Sequence, residues 1–280
     1  MKLHDYTWEV KSSVLRRIYF LGDLHVGNAS FDEKNCRAVI NAIRDDDDGR
    51  FFFMGDGAEC ITPKDKRWDF ESIDPKFHQS ISHLPQAQVN YLCDLLAPIK
   101  SKCIGYHAGN HELKIRDRNQ DYDPMFDYHA LFAKEAENLG TDIAITRIRF
   151  IDAPRIDALN IYTTHGYGYA TTVGGKLNNL LRLADSFPNC DIYARGHCHD
   201  CGVHSEPALD VPKRGKMRLD ERLRLFIATG CYFKTYTVGH SSYGARRAYR
   251  ATQLGTPYVE LSYPTINNRK KLRMNFGVIP

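Results

Sequence analysis

The sequence has no apolar run approaching the roughly 18 residues of a membrane-crossing helix, so no transmembrane span is expected. The amino-terminal MKLHDYTWEV carries a charge every few residues and has no apolar core of its own. It does not read as a secretory leader, and the cytoplasm is the expected compartment. Cysteine is sparse, at 8 of 280 residues, far below the roughly 8–10% of a disulfide-stapled scaffold. Strong charge of either sign is also missing: 38 Lys and Arg against 34 Asp and Glu leave +4 at pH 7. That balance tolerates a phosphate-bearing substrate but is far from the basic excess that signals nucleic acid. No internal repeat, low-complexity block or Pro/Gly/Ser-rich linker divides the chain, which therefore reads as one large α/β or α+β domain over residues 1–280.

What is present is an alternation of short apolar runs with helical spacing. Residues 17–21 (RIYFL) read as a buried strand, as do FFFM at 51–54 and CDIYA at 190–194. Between them, FDEKNCRAVINAIR at 31–44 places Cys36, Val39, Ile40 and Ile43 at helical spacing, and Pro85 opens a helix through Leu96. The same reading predicts a strand near 103–106, a helix over about 123–138, strands around 143–151 and 158–164, and a helix over about 174–187. The last third is β-rich, with strands at 222–229, 257–263 and 269–276 that are expected to complete the second sheet.

Each clear strand of the first two-thirds ends in a loop pairing glycine with Asp, Asn or His. These loops are GDLH at 22–25, GD at 55–56, GNHE at 109–112, HG at 165–166 and GHCH at 196–199. In α/β sheets the carboxyl ends of strands share an edge where sites are built. Gathered there, the loops supply Asp23, His25, Asp56, Asn110, His165, His197 and His199, with His111 beside them. Carboxylates, an amide oxygen and imidazoles without thiolate suit Mn, Fe, Zn, Ni or Co. Seven donors exceed the needs of one ion and suffice for two if a carboxylate bridges. Two ions about 3.5–4 Å apart clamp the attacking and leaving oxygens of displacement at phosphorus.

GDLHVG, GDGAE, AGNHE, THGYG and RGHCH, in that order between Arg17 and Cys201, resemble the five signature motifs of the calcineurin-like metallophosphoesterases. The resemblance implies a four-layer α-β-β-α sandwich of two mixed sheets flanked by helices, with a dinuclear centre at the strand edge and manganese as the favoured metal. It implies that Asp23, His25, Asp56 and His199 hold one ion, and Asp56, Asn110, His165 and His197 the other. Solvent-derived hydroxide between the ions would be the nucleophile, and His111 would assist the leaving oxygen. Glu112 would support its loop. Glu59 stands where many members have Asp, at a position that is not a ligand.

Singly, each residue has a plainer reading. Asp23 and Asp56 could cap turns, His165 could be a core histidine, and His78, His83, His107, His129, His204 and His240 read as structural or surface. Cys198 and Cys201 form a C-x-x-C without the second pair that a zinc ribbon needs. DDDDG at 45–49 misplaces the ends of a calcium loop and reads as a solvated turn. The segment 230–255 interleaves Tyr232, Tyr236, Tyr243 and Tyr249 with Arg246, Arg247 and Arg250 and is a candidate substrate-side loop. Gly166, Tyr167, Gly168 and Tyr169, with Gly174 and Gly175, suggest a rim beside His165. The connection 57–84 starts at the site and is long enough to serve it.

The protein-phosphatase branch is disfavoured, since the second motif lacks the arginine that branch shows there. Little more than about 75 residues follow the last motif, few for the capping domain of a double-strand-break nuclease of the Mre11/SbcD type. The expected activity is a phosphodiesterase resembling the small prokaryotic or phage-type members, acting on a phosphodiester of a small molecule or of nucleic acid. A DNA or RNA nuclease lacking a full cap is the alternative, and a phosphomonoesterase or a catalytically silent scaffold follows behind. No membrane partner is expected, and homo-oligomerisation is left open.

Overall fold

The computed structural model describes residues 1–9, 15–118, 122–152, 155–168, 170, 172–211, 217, 219–238, 243–262, 265–266, 269–270 and 272–280. In chain order the strands and helices are β1 (Lys2–Glu9), β2 (Arg16–Leu21), α1 (Glu33–Asp45), β3 (Gly49–Phe53), α2 (Leu84–Leu96), β4 (Cys103–His107), α3 (Asn110–Arg118), α4 (Pro124–Phe132), β5 (Glu137–Gly140), β6 (Ile143–Asp152) and β7 (Arg155–Thr164). There follow α5 (Val173–Leu181), α6 (Leu183–Ser186), β8 (Ile192–Arg195), β9 (Cys201–Asp210), β10 (Asp220–Thr229), α7 (Tyr243–Arg246), β11 (Thr256–Ser262), the short β12 (Thr265–Ile266) and β13 (Arg269–Lys270), and β14 (Arg273–Ile279).

Two six-stranded sheets carry the fold, ordered β1-β6-β7-β8-β10-β9 and β14-β11-β2-β3-β4-β5. In the second, β2 to β5 run parallel, and β11 is antiparallel to both its neighbours, β2 and β14. The first mixes parallel β1/β6, β7/β8 and β8/β10 with antiparallel β6/β7 and β9/β10. Strand β2 shows why the layers form. Its side chains alternate between faces, so Ile18 and Phe20 join a core between the sheets with Phe52, Ile104, Ile148, Ile161 and Ile192. Tyr19 and Leu21 face the other way, into a core closed by α1, α2 and α4. Tyr162, Tyr193 and Phe226, on the outer face of the other sheet, are covered by Leu180 of α5 and Ala184 of α6. With both faces covered, the apolar runs are continuous, and the layers are α-β-β-α, as expected.

The structure departs from the expected elements in two helices, in the pairing of the late strands and in two added strands. The helix expected over 123–138 stops at Phe132, and residues 137–140 pair with β4 as an edge strand ending at Gly140, φ 81°. The helix expected over 174–187 divides into α5 and α6 at Arg182. The strands after residue 222 do not complete one sheet. β10 pairs with β8 and β9, whereas β11 pairs with β2 and β14. Strands β1 and β9 were not anticipated, because they lie at sheet edges and carry polar residues along most of their length. Among the described residues no helix is long and apolar enough to cross a membrane.

Candidate metal centre

All seven predicted donors lie at the carboxyl ends of strands. Asp23 and His25 follow β2, Asp56 follows β3 and Asn110 opens α3 after β4, all from one sheet. His165 follows β7 and His197 and His199 follow β8, from the other. Backbone bonds hold the loops together: Asp23 N donates to Gly55 O at 2.9 Å and His25 N to Asp56 O at 3.1 Å. Glycine is required where the loops touch, since a Cβ on Gly109 would lie 2.1 Å from Asp56 Oδ1. Asp23, His25, Asp56, His197 and His199 all adopt left-handed backbone, with φ between 46° and 64°. Only two other described non-glycine residues, Cys60 and Ala248, do so. That conformation costs about 1–2 kcal/mol per residue and clusters where geometry serves a site.

The donor atoms fall into groups. One atom from each of Asp23, His25, Asp56 and His199 lies within 4.8 Å of the others, and the same holds for Asp56, His165 and His197. Asp56 belongs to both, and Asn110 Oδ1 lies 3.3 Å from His165 Nε2. The donors also touch one another: His25 Nε2 is 3.0 Å from His199 Nε2, with the tautomers deciding which ring donates, and the inward end of the Asn110 amide is 2.6 Å from His197 Nδ1 and 3.2 Å from Asp56 Oδ2. Turned with its NH2 inward, that amide donates to both; turned with its oxygen inward, it adds a third acceptor of the kind a divalent ion takes. Convergent lone pairs of N and O type fit divalent transition ions, and the residues present fit the two-ion arrangement that the resemblance implies.

A second ring of groups orients the donors. Glu59 Oε2 lies 2.8 Å from His25 Nδ1, and Met54 O lies 2.8 Å from His165 Nδ1. Both leave Nε2 free to face the cluster. Glu112 is fully buried and accepts from the backbone N–H of Asp56 (3.1 Å), Gly57 (2.8 Å) and Gly109 (2.9 Å) and from Tyr128 OH (2.7 Å). These bonds tie the Asp56 and Gly109 loops together.

The electrostatics follow from burial and these pairings. Burial alone would raise the Asp23 carboxyl, yet its His199 hydrogen bond and the nearby imidazoles hold it below its usual value. Asp56 is likewise held low against burial, chiefly by the charge of His165. Burial would lower His25 and His165, but Glu59 and Asp56 respectively raise them to about 9 and about 10. Burial dominates at His197, lowered to about 4, and at His111, also lowered. Glu59, which burial would raise, is brought down to about 2 by His111 and His25.

His111 sits beside the cluster, its N–H donating to Asp56 Oδ1 at 2.8 Å and its Nδ1 against the Glu59 carbonyl. Its Nε2 receives Arg67 Nη1 at 3.2 Å. Sequence reasoning passed over both Glu59 and Arg67. Glu59 stood in a quoted motif but was discounted as a non-ligand, and Arg67 lies among other charges in KDKRWD with nothing local to single it out.

A cleft of about 700 Å³ opens over the donors. The connection 57–84 forms one wall through Arg67 and Trp68; Leu177 and Leu180 of α5, with Val203 and Phe226, form an apolar one. From 230–255, Tyr249 and Arg250 reach the cleft. Tyr232 instead is buried, bonded to Thr256 Oγ1 at 2.8 Å, and Arg246 pairs with Asp69. Tyr169, His240 and the Tyr243 side chain lie outside the described residues. Tyr167 is exposed and stacks near His197, ring centroids 6.4 Å apart. Of the remaining histidines, His204 lines the cleft, whereas His107 is buried and bonded to Thr163 Oγ1 at 2.9 Å. Asp46 accepts from Tyr19 OH at 2.7 Å within its turn. All eight cysteines, Cys198 and Cys201 included, are free thiols.

No family model matches the chain, and no curated protein matches it. Solved structures that match include vacuolar protein sorting 29 from Cryptosporidium parvum, 13% identical over 94% of this chain and 98% of that chain, with a TM-score of 0.39. At that score the likeness bears no functional weight, and the fold rests on the sheet order and layers described above.

Proposed function

We infer that the protein is a metal-dependent phosphoesterase that hydrolyses phosphodiester bonds. The observation that carries this reading is the gathering of six Asp and His donors into two groups that share Asp56, with Asn110 against the second, all from five loops. Two divalent ions held there, one by Asp23, His25, Asp56 and His199 and one by Asp56, Asn110, His165 and His197, would supply Lewis acidity and an activated water. The chain's own residues do the rest. Glu59 and Met54 O fix the imidazoles of His25 and His165, and Glu112 holds the backbone under Asp56. His111 Nε2 faces the cleft and is the atom placed to exchange a proton with the leaving oxygen.

The apolar wall and the size of the cleft favour an ester with a compact organic group. Of the four described cations that line the cleft, Arg67 and Lys176 are paired with Asp65 and Asp200, and the other two are Arg195 and Arg250. The test is hydrolysis of bis(p-nitrophenyl) phosphate with added manganese by wild type, Asp56→Asn and His111→Ala. Asp56→Asn should abolish turnover and His111→Ala should lower kcat about 10²–10⁴-fold. Undiminished activity in Asp56→Asn would sink the reading. A parallel panel of a monoester, a cyclic nucleotide and an oligonucleotide, each with several metals, separates the diesterase from a nuclease, and failure of every substrate would leave a scaffold.

A further inference from the structure

We propose that Arg67, held in place by Asp65, is an anion-binding group that grips a non-bridging oxygen of a phosphate ester beside the metal ligands. Asp65 Oδ1 accepts from Arg67 N at 2.9 Å and Nε at 3.1 Å, and Oδ2 accepts from Nη2 at 3.0 Å. The bidentate pair engages the Nε/Nη2 edge of the guanidinium and fixes its plane. The Nη1 corner is thereby turned toward the cleft, 3.2 Å from His111 Nε2. A neutral imidazole is a weak partner for a permanent cation, and a phosphoryl oxygen arriving beside His111 is a stronger one.

Burial makes the arrangement pre-organised. The Asp65 side chain is 10% exposed and that of Arg67 20%, so the ordering cost is met before any ligand arrives. The pair sits in the long connection that leaves the site at Asp56, and Trp68 beside it lines the same cleft. The plainer role for Arg67 is to anchor that connection. A control is at hand, because Arg246 anchors the same segment through Asp69. The ester's identity rests on the phosphoesterase reading; the anion site does not.

The test is isothermal titration calorimetry of inorganic phosphate into the manganese-loaded full chain. Arg67→Met should weaken phosphate binding roughly 10- to 100-fold, as expected for one charge-assisted contact, with the manganese stoichiometry unchanged. Asp65→Asn should weaken it less, and Arg246→Met should leave it at the wild-type value. Wild-type affinity in Arg67→Met, absence of phosphate binding in the wild type, or an equal loss in Arg246→Met would each overturn the proposal. Should Arg67→Met fail to fold by circular dichroism, Arg67→Lys carries the test. It keeps the charge but cannot span Asp65 and the anion together, and unchanged affinity in that variant would overturn the proposal equally. Phosphate binding that depends on Arg67 in a protein inactive toward every ester would preserve the anion site and remove the phosphoesterase reading.

Discussion

At the residue scale, the donor cluster depends on residues that are not among its seven donors. Gly109 has no freedom to change. An added Cβ would meet Asp56 Oδ1 at 2.1 Å and Asp56 N at 2.2 Å, and the backbone atom cannot swing aside. Gly109→Ala should cost about 1–3 kcal/mol in urea unfolding and displace Asp56, lowering metal affinity in the same protein. Glu59 holds the far nitrogen of His25 at 2.8 Å. Glu59→Gln removes that charge and should weaken metal binding about 10–100-fold in competition against a chelator; an unchanged affinity would show that Glu59 orients nothing. The donors were legible because Asp, Asn and His beside glycine recur after each strand. Glu59 and Arg67 were not, because their importance comes from what they face across the fold and their neighbours in the chain do not mark it.

At the element scale, α1 begins with a charge cluster whose effect depends on pH. Glu33 meets Arg37 Nε at 2.7 Å, Lys76 Nζ at 2.6 Å and Tyr91 OH at 2.5 Å. Burial would raise its carboxyl, but these contacts, led by Lys76, hold it at about 2. The folded value lies below the unfolded one, so the stabilisation is complete above about pH 4.5 and fades as pH falls toward about 2. Glu33→Gln should cost about 1 kcal/mol at pH 7, with the partial exposure of the cluster discounted. The gap between wild type and variant should narrow by pH 3, measured by urea unfolding at both. Helices with a clear apolar face, such as α1 and α2, were legible from spacing. The segment 133–140 was not: its alanines and glutamates favour helix, and pairing with β4 overrode that preference at residues 137–140. Strand β9, with Pro207 at a sheet edge, likewise gave no alternation to read.

At the scale of the whole molecule, the layers were legible because strands covered on both faces have continuous apolar runs, whereas the division of the last strands between two sheets depends on pairing partners distant in sequence. Ligand-driven stabilisation follows from the buried, left-handed donor loops. Adding manganese to metal-stripped protein should raise Tm, by the equivalent of about 2.7 kcal/mol at a hundredfold excess over Kd, and a chelator should reverse it. A Tm indifferent to every divalent metal would rule out the centre. Four donors hang from one sheet and three from the other, with the shared core of Phe20, Phe52, Ile148 and Ile161 between them. The centre is therefore a clasp across a seam. A cavity cut into that core, far from any ligand, would let one sheet slide on the other and change the spacing of the donors, so that metal content becomes a gauge of how well the two halves are aligned.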